Sequence, residues 1–340
     1  MLYLKKALQC EVYTMFTLYV GERRPVRTLS HALSLLPPDD GSPALIHLDP
    51  GVYREKTVLS RSHTILEGDS AHNTFIRWDD GAKTILEDGM KRGTFRTATL
   101  RTDAPHITLR RLSICNDAAP REAVGQAIAL YADGDHFLCE DCHLVSYQDT
   151  LFTAPLPPRE IEKNGFIGPK QYAPRVPQRH IYHRCRISGD IDFIFGGAAA
   201  WFEQCDIVSV DTRSDRRSGC AGYATAASTP EGQAFGYVFS RCRFLSDNCP
   251  EGSVYLGRPW REWAKTVLLG CELGAHIHPD GFDDWDKPLA HKTALYAEYG
   301  STGPGAGALR APFVRILTSL EAQAFTLQAF MDAMPDNPLP

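Results

Sequence analysis

Asp149 lies seven residues after Cys142, and Asp192 lies seven residues after Cys185. The two carboxylates therefore hold the same place in a local pattern that recurs along the chain. Apolar strand residues precede a cysteine and another apolar residue follows two positions on: Leu138…Cys142…Leu144, Ile181…Cys185…Ile187, Trp201…Cys205…Ile207, Val238…Cys242…Phe244 and Val267…Cys271…Leu273. Five copies at irregular intervals of twenty to forty-three residues predict rungs of a solenoid with loops of varying length. Equivalent positions on neighbouring rungs of a parallel β-helix stack about 4.8 Å apart. Two carboxylates that close cannot both ionise cheaply, so one keeps its proton as an acid while the other serves as base or nucleophile. An aspartate at a strand end is by itself most often a turn former. The shared register is what makes this pair a chemical signal.

The elements that must position the pair are legible around it. From about residue 40 to 275, short β-rich segments such as 63–66, 74–78, 106–114 and 137–145 alternate with polar turns, and helical periodicity is nearly absent. This predicts an all-β, single-stranded right-handed parallel β-helix, read as one domain over residues 1–340 with short capping helices near both termini. Residues 1–25 read as a strand-rich entry. Thr28 is placed to cap a helix through Leu36 that stops at Pro37 and Pro38 and covers the open end of the solenoid. Thr318-Ser319-Leu320-Glu321 fits a capping box opening a second helix through about Met334. Residues 275–305 read as irregular surface structure. The rhythm breaks at 154–177, an inserted loop with six prolines that leaves the corner carrying Asp149. Phe166, Ile167 and Tyr172 are expected to pin it, leaving Arg159, Lys163, Lys170 and Arg175 to meet the carboxylates of a bound ligand.

Composition narrows the function classes. A net charge of −5 gives no reason to expect nucleic acid, although a local basic groove can still take a polyanion. The ten cysteines read mainly as a column of small buried apolar residues. Cys139 and Cys142 form a single C-x-x-C with no second pair, against zinc or redox chemistry, and Cys10, Cys115, Cys220 and Cys249 carry no assignment. His276-Ile277-His278 lacks a third ligand, so no metal or cofactor is expected. Residues 1–20 lack the order of a signal peptide, and no stretch reaches transmembrane length. The chain therefore reads as a cytoplasmic monomer without membrane partners, or as secreted if an export signal was removed.

Seven stretches in order carry a resemblance to a family: Gly51-Val-Tyr-Arg-Glu55, Gln126-Ala-Ile-Ala-Leu130, Gln148-Asp-Thr-Leu151, Asp192-Phe-Ile-Phe-Gly196, Phe235-Gly-Tyr-Val-Phe239, Leu256-Gly-Arg-Pro-Trp260 and Glu298-Tyr299…Gly303-Pro-Gly305. Together they resemble the pectin methylesterases, carbohydrate esterases with a right-handed parallel β-helix, over roughly residues 25–335. The resemblance implies hydrolysis of galacturonate methyl esters in pectin or methylated oligogalacturonides. It makes Asp192 the nucleophile and Asp149 the general acid and base. Gln126 and Gln148 become oxyanion donors, and Arg258 the partner of Asp192. Phe195, Trp260, Tyr223 and Thr225 become substrate contacts, the aromatics offering flat apolar faces to sugar rings. Phe152 stands where the family commonly has tyrosine and Phe282 where it has tryptophan, and the interval between the aspartates is about twice the usual one.

Other readings of a carboxylate pair exist. Carboxylates about 5 Å apart also suit retaining glycosidases. The related solenoid hydrolases carry a Gly-His-Gly element, but this sequence has no His-Gly dipeptide. Lyases need an acidic calcium cluster, which the sequence does not offer. A carbohydrate-binding β-helix with a decayed site would not need Gln126, Gln148, Asp149, Asp192 and Arg258 together.

Overall fold

The computed structural model describes residues 15–215, 219–307 and 309–334. Three all-parallel sheets of eleven, seven and eight strands run side by side, and each rung gives one strand to each sheet through most of its length. The chain is a right-handed parallel β-helix, the hand that parallel crossovers take.

The corners explain the cysteine pattern. Asp141, Arg184, Gln204 and Arg241 adopt φ of 52°, 51°, 54° and 51°, and Gly270 adopts 59°. Each precedes one cysteine, so a single left-handed residue swings the chain from one sheet to the next and turns the thiol inward. Strand registers then stack Cys142, Cys185, Cys205, Cys242 and Cys271 in one column. Leu144, Ile187, Ile207, Phe244 and Leu273 form the next column, all buried. Tyr182, Phe202 and Phe239 stack ring on ring at 4.7 and 4.4 Å beside them. Burying each such side chain contributes about 1.5–3 kcal/mol.

All cysteines among the described residues are free. The native column should therefore react slowly with a thiol reagent, whereas the denatured, unreduced protein should titrate fully. Reductant should leave the melting temperature unchanged. Thiols missing from the denatured, unreduced protein would overturn this.

The solenoid is longer than residues 40–275. It begins with Phe16–Val20, paired to Ala44–Leu48, and ends with Leu295–Tyr299 and Val314–Ile316. Residues 275–305 are thus not wholly irregular. Gly300, at φ 64°, makes the same corner as Gly270, with Ser301 in the cysteine position. The N-terminal helix, Leu29–Ser34, is capped by the Thr28 hydroxyl, which accepts from His31 N. Glu55 accepts from the Leu29 and Ser30 amides at 2.7 and 2.8 Å. The capping box at Thr318 and Glu321 is present, but its helix spans only Ser319–Ala322. Thr326 caps a separate helix, Leu327–Asp332, which packs Phe330 against Trp201 and Phe235. Residues 1–14, including Cys10 and most of the stretch read for export, lie outside the described residues.

Candidate active site

The seven-stranded sheet carries the aspartates. Leu151 pairs with Ile194, Phe152 with Phe195 and Thr153 with Gly196, which sets Asp149 opposite Asp192 at the entry to adjacent strands. Asp149 N donates to Ile191 O at 3.1 Å. Both residues hold left-handed backbones, φ 67° and 50°, conformations that are costly for non-glycine residues and concentrate at functional sites. Gly196 (φ 130°) is obligatory, because a Cβ there would collide with the Thr153 carbonyl. A Cβ at Gly257 would strike the Thr225 hydroxyl. That close approach brings Arg258 to Asp192.

Arg258 grips Asp192 with a two-pronged contact, Nε to Oδ1 at 2.8 Å and Nη2 to Oδ2 at 2.7 Å. Its guanidinium lies between the rings of Tyr223 and Trp285, 3.8 and 3.7 Å from their centroids. The fork is thereby held as well as charged. Both aspartates are 7 % exposed. Burial pushes Asp149 well above the ordinary carboxylate range, and the charge of Asp192 adds to this. Burial raises Asp192 less far, because the guanidinium hydrogen bonds and charge pull it back. Asp149 therefore holds a proton more tightly than Asp192 does.

The aspartates open into a cleft of about 940 Å³. Gln126, Gln148, Phe195, Trp260 and Arg258 line it with them. The two glutamines are half-buried. Phe195 is only 3 % exposed, its face covered by Phe95 and Trp260 at 6.2 and 5.6 Å. Among the described residues lining the cleft, Tyr223 and Thr225 do not figure. Tyr223 braces Arg258, and Thr225 is fully buried with its hydroxyl donating to Leu256 O at 2.9 Å. Phe152 is fully buried against Tyr131, and Phe282 stacks on Tyr296 at 4.3 Å.

The sequence reading missed Trp285, Lys287, Phe95 and the 82–94 segment of the cleft wall. Outside the dyad and Arg258, the charged lining residues are Lys83, Lys91, Lys163, Arg261 and Lys287 against Glu162 alone. Burial and the neighbouring Arg261 and Arg258 bring Lys287 down to about 8. The inserted loop does reach the cleft, through residues 161–167, but its pins differ from expectation. Phe166 is buried, whereas Tyr172 is 91 % exposed and holds nothing down. Lys170 pairs with Asp103 and Asp133. Arg175 donates to the carbonyls of Pro157, Lys170, Gln171 and Ala173. These two cations stabilise the loop itself and are not presented to a ligand.

Asp149→Asn should stabilise the protein, and the pH dependence carries the sign. The folded-state acid is raised above its unfolded value, so the wild type loses stability as pH climbs from about 3.9 towards the folded value. The asparagine variant escapes this loss. Its melting temperature should match wild type near pH 3 and exceed it above pH 7, with the gap widening as pH rises. A variant less stable than wild type at high pH would contradict a neutral Asp149.

Fold and site define a parallel β-helix protein with a paired-aspartate centre. The chain belongs to the pectinesterase family, whose model matches residues 20–157 and 172–334. It is 30 % identical over 316 residues to pectinesterase 1 of Citrus sinensis, covering 90 % of this chain and 48 % of that one. The chain spans about half the length of the curated plant relatives it matches. The solved pectin methylesterase PemA of Erwinia chrysanthemi is 28 % identical with a TM-score of 0.77, covering 97 % of this chain and all of that one. A pectin methylesterase solved with a hexasaccharide is 27 % identical, again with a TM-score of 0.77 and the same coverage. These relatives overturn the cytoplasmic expectation, because pectinesterases act on extracellular pectin. No helix among the described residues is long and apolar enough to cross a membrane.

Proposed function

We propose that this chain hydrolyses methyl esters of galacturonate in pectin or its oligomers, releasing methanol. The observation that carries the reading is the asymmetric pair: Asp192 gripped by the Arg258 fork, with Asp149 opposite it, its carboxyl pushed further up by burial and by the Asp192 charge. Asp192 attacks the ester carbonyl carbon, and the carbonyl electron pair moves onto oxygen. Gln126 and Gln148 donate to that oxyanion with their amide N–H groups. The intermediate collapses as the methoxy oxygen leaves with the Asp149 proton, forming methanol and an acyl anhydride on Asp192. Asp149, now a carboxylate, takes a proton from water. The hydroxide attacks the acyl carbon, and Asp192 departs as carboxylate with Asp149 reprotonated. Trp260 supplies a sugar-facing ring, while Tyr223 and Thr225 support the site from behind its wall. The cationic rim suits galacturonate carboxylates despite the negative net charge.

Incubation with methylated pectin tests the reading. Methanol release without chain shortening supports it. Chain cleavage would indicate a glycosidase or lyase, and neither product would indicate a binding protein.

A further inference from the structure

The family match stops at residue 157 and resumes at 172, so residues 158–171 depart from the family pattern, and seven of them line the cleft. We propose that this segment is a fixed strap across one end of the cleft that makes the protein selective for short galacturonide chains over polymer. The proposal rests on the pectinesterase reading for its ligand class.

The strap touches both walls. On one side Ile167 abuts Gly93 so closely that a Cβ there would come within 2.7 Å of it, and Gly168 packs as tightly on Phe95. On the other side Arg261 Nη2 donates to Arg159 O at 2.9 Å. Between them Phe166 is 5 % exposed, its ring 5.8 Å from Phe95 and 6.2 Å from Trp260. Phe95 belongs to the segment leading into Leu100–Thr102, and Trp260 follows Val254–Gly257, strands on opposite sides of the aspartate-bearing pair. One buried ring therefore joins elements on either side of the catalytic rungs. The downstream foot is tied by Lys170 to Asp103 and Asp133 on neighbouring rungs.

The physical consequence follows from polymer geometry. A long chain bound by an interior sugar must run out of the cleft at both ends, whereas a short one needs only one open end. A tethered strap closes one exit, and opening it would expose Phe166, Phe95 and Phe195 to water. Its anchors are packing contacts, the Arg261 hydrogen bond to a backbone carbonyl and the Lys170 ion pairs, so the strap is held in place across the cleft in the absence of ligand.

The test replaces residues 158–171 by a short Gly-Ser turn, with Phe166→Ala as a second variant that keeps the chain but removes the wedge. Methanol release is measured on methylated trimer, hexamer and polymeric pectin. Binding of fully demethylated oligogalacturonates is measured from trimer to decamer. The polymer-to-trimer ratio of kcat/KM should rise at least about tenfold in the deletion, the lower end of what a pocket wall imposes, and less in Phe166→Ala. Wild-type affinity should stop improving at short length, while that of the deletion should keep improving. Unchanged ratios and unchanged length dependence in folded variants would overturn the strap, as would absence of oligogalacturonate binding in every protein. Failure of the wild type to release methanol from any ester would overturn the esterase reading. The length dependence of binding would then still decide on the strap.

Discussion

Asp192→Asn should reduce methanol release by roughly 10⁶-fold, the order lost when a covalent nucleophile is removed from a hydrolase. The amide oxygen it leaves is a poor nucleophile, and Asp149, the leaving-group acid, cannot take over the attack without giving up its proton role. Asp149→Asn should cost less, roughly 10²–10⁴-fold, because Asp192 can still attack while methoxide departs without its proton. Gln148→Ala should cost roughly 10²–10³-fold, the usual loss of one oxyanion donor. The ordering matters more than any single value. With Asp149→Asn, acylation and deacylation both lose their proton carrier, so activated esters with better leaving groups should recover the first step alone and give a burst without turnover. Near-normal activity in Asp192→Asn would remove it as the nucleophile.

The register that makes this prediction possible was visible in the sequence because of one backbone requirement. Five successive rungs turn on a left-handed residue followed by an inward cysteine. Where the chain solves the same corner otherwise, as with Gly300-Ser301, a polar side chain hides the rung, and the last strands read as loop. Asp149 and Asp192 were found through their distance from that corner. Arg258 was found only through its flanking Leu-Gly and Pro-Trp. Trp285 could not be found this way. It sits at φ 52° in an acidic turn with no periodic neighbour, and it meets Arg258 only because the turn folds back over the cleft. The same holds for the loop cations. Sequence marks Lys170 and Arg175 as basic residues near the site, but only geometry shows Lys170 spent on Asp103 and Arg175 on its own backbone.

Arg258→Gln should lose roughly 10²–10⁴-fold in kcat/KM near neutral pH, and the loss should shrink as pH rises. Removing one partner of a buried charge pair leaves the other uncompensated at a cost of about 3–5 kcal/mol, and here the charge left behind is the nucleophile. Burial already raises Asp192, and the Arg258 hydrogen bonds and charge are the strongest forces opposing it. Without them Asp192 holds its proton to higher pH, so the acid limb of the pH–rate profile, where this carboxyl must ionise, moves upward. The alkaline limb, set by the proton on Asp149, should move less. Its main causes are its own burial and the Asp192 charge, with Arg258 acting on it in the lowering direction. The profile of the variant should therefore be narrower and shifted to alkaline pH. Arg258→Lys separates charge from shape: an ammonium restores the charge but cannot reproduce the two-pronged contact or lie flat between Tyr223 and Trp285. It should return the acid limb part of the way without restoring the full rate. Because a merely structural arginine would lower activity equally at every pH, an unmoved acid limb in Arg258→Gln would show that Arg258 does not set the ionisation of Asp192.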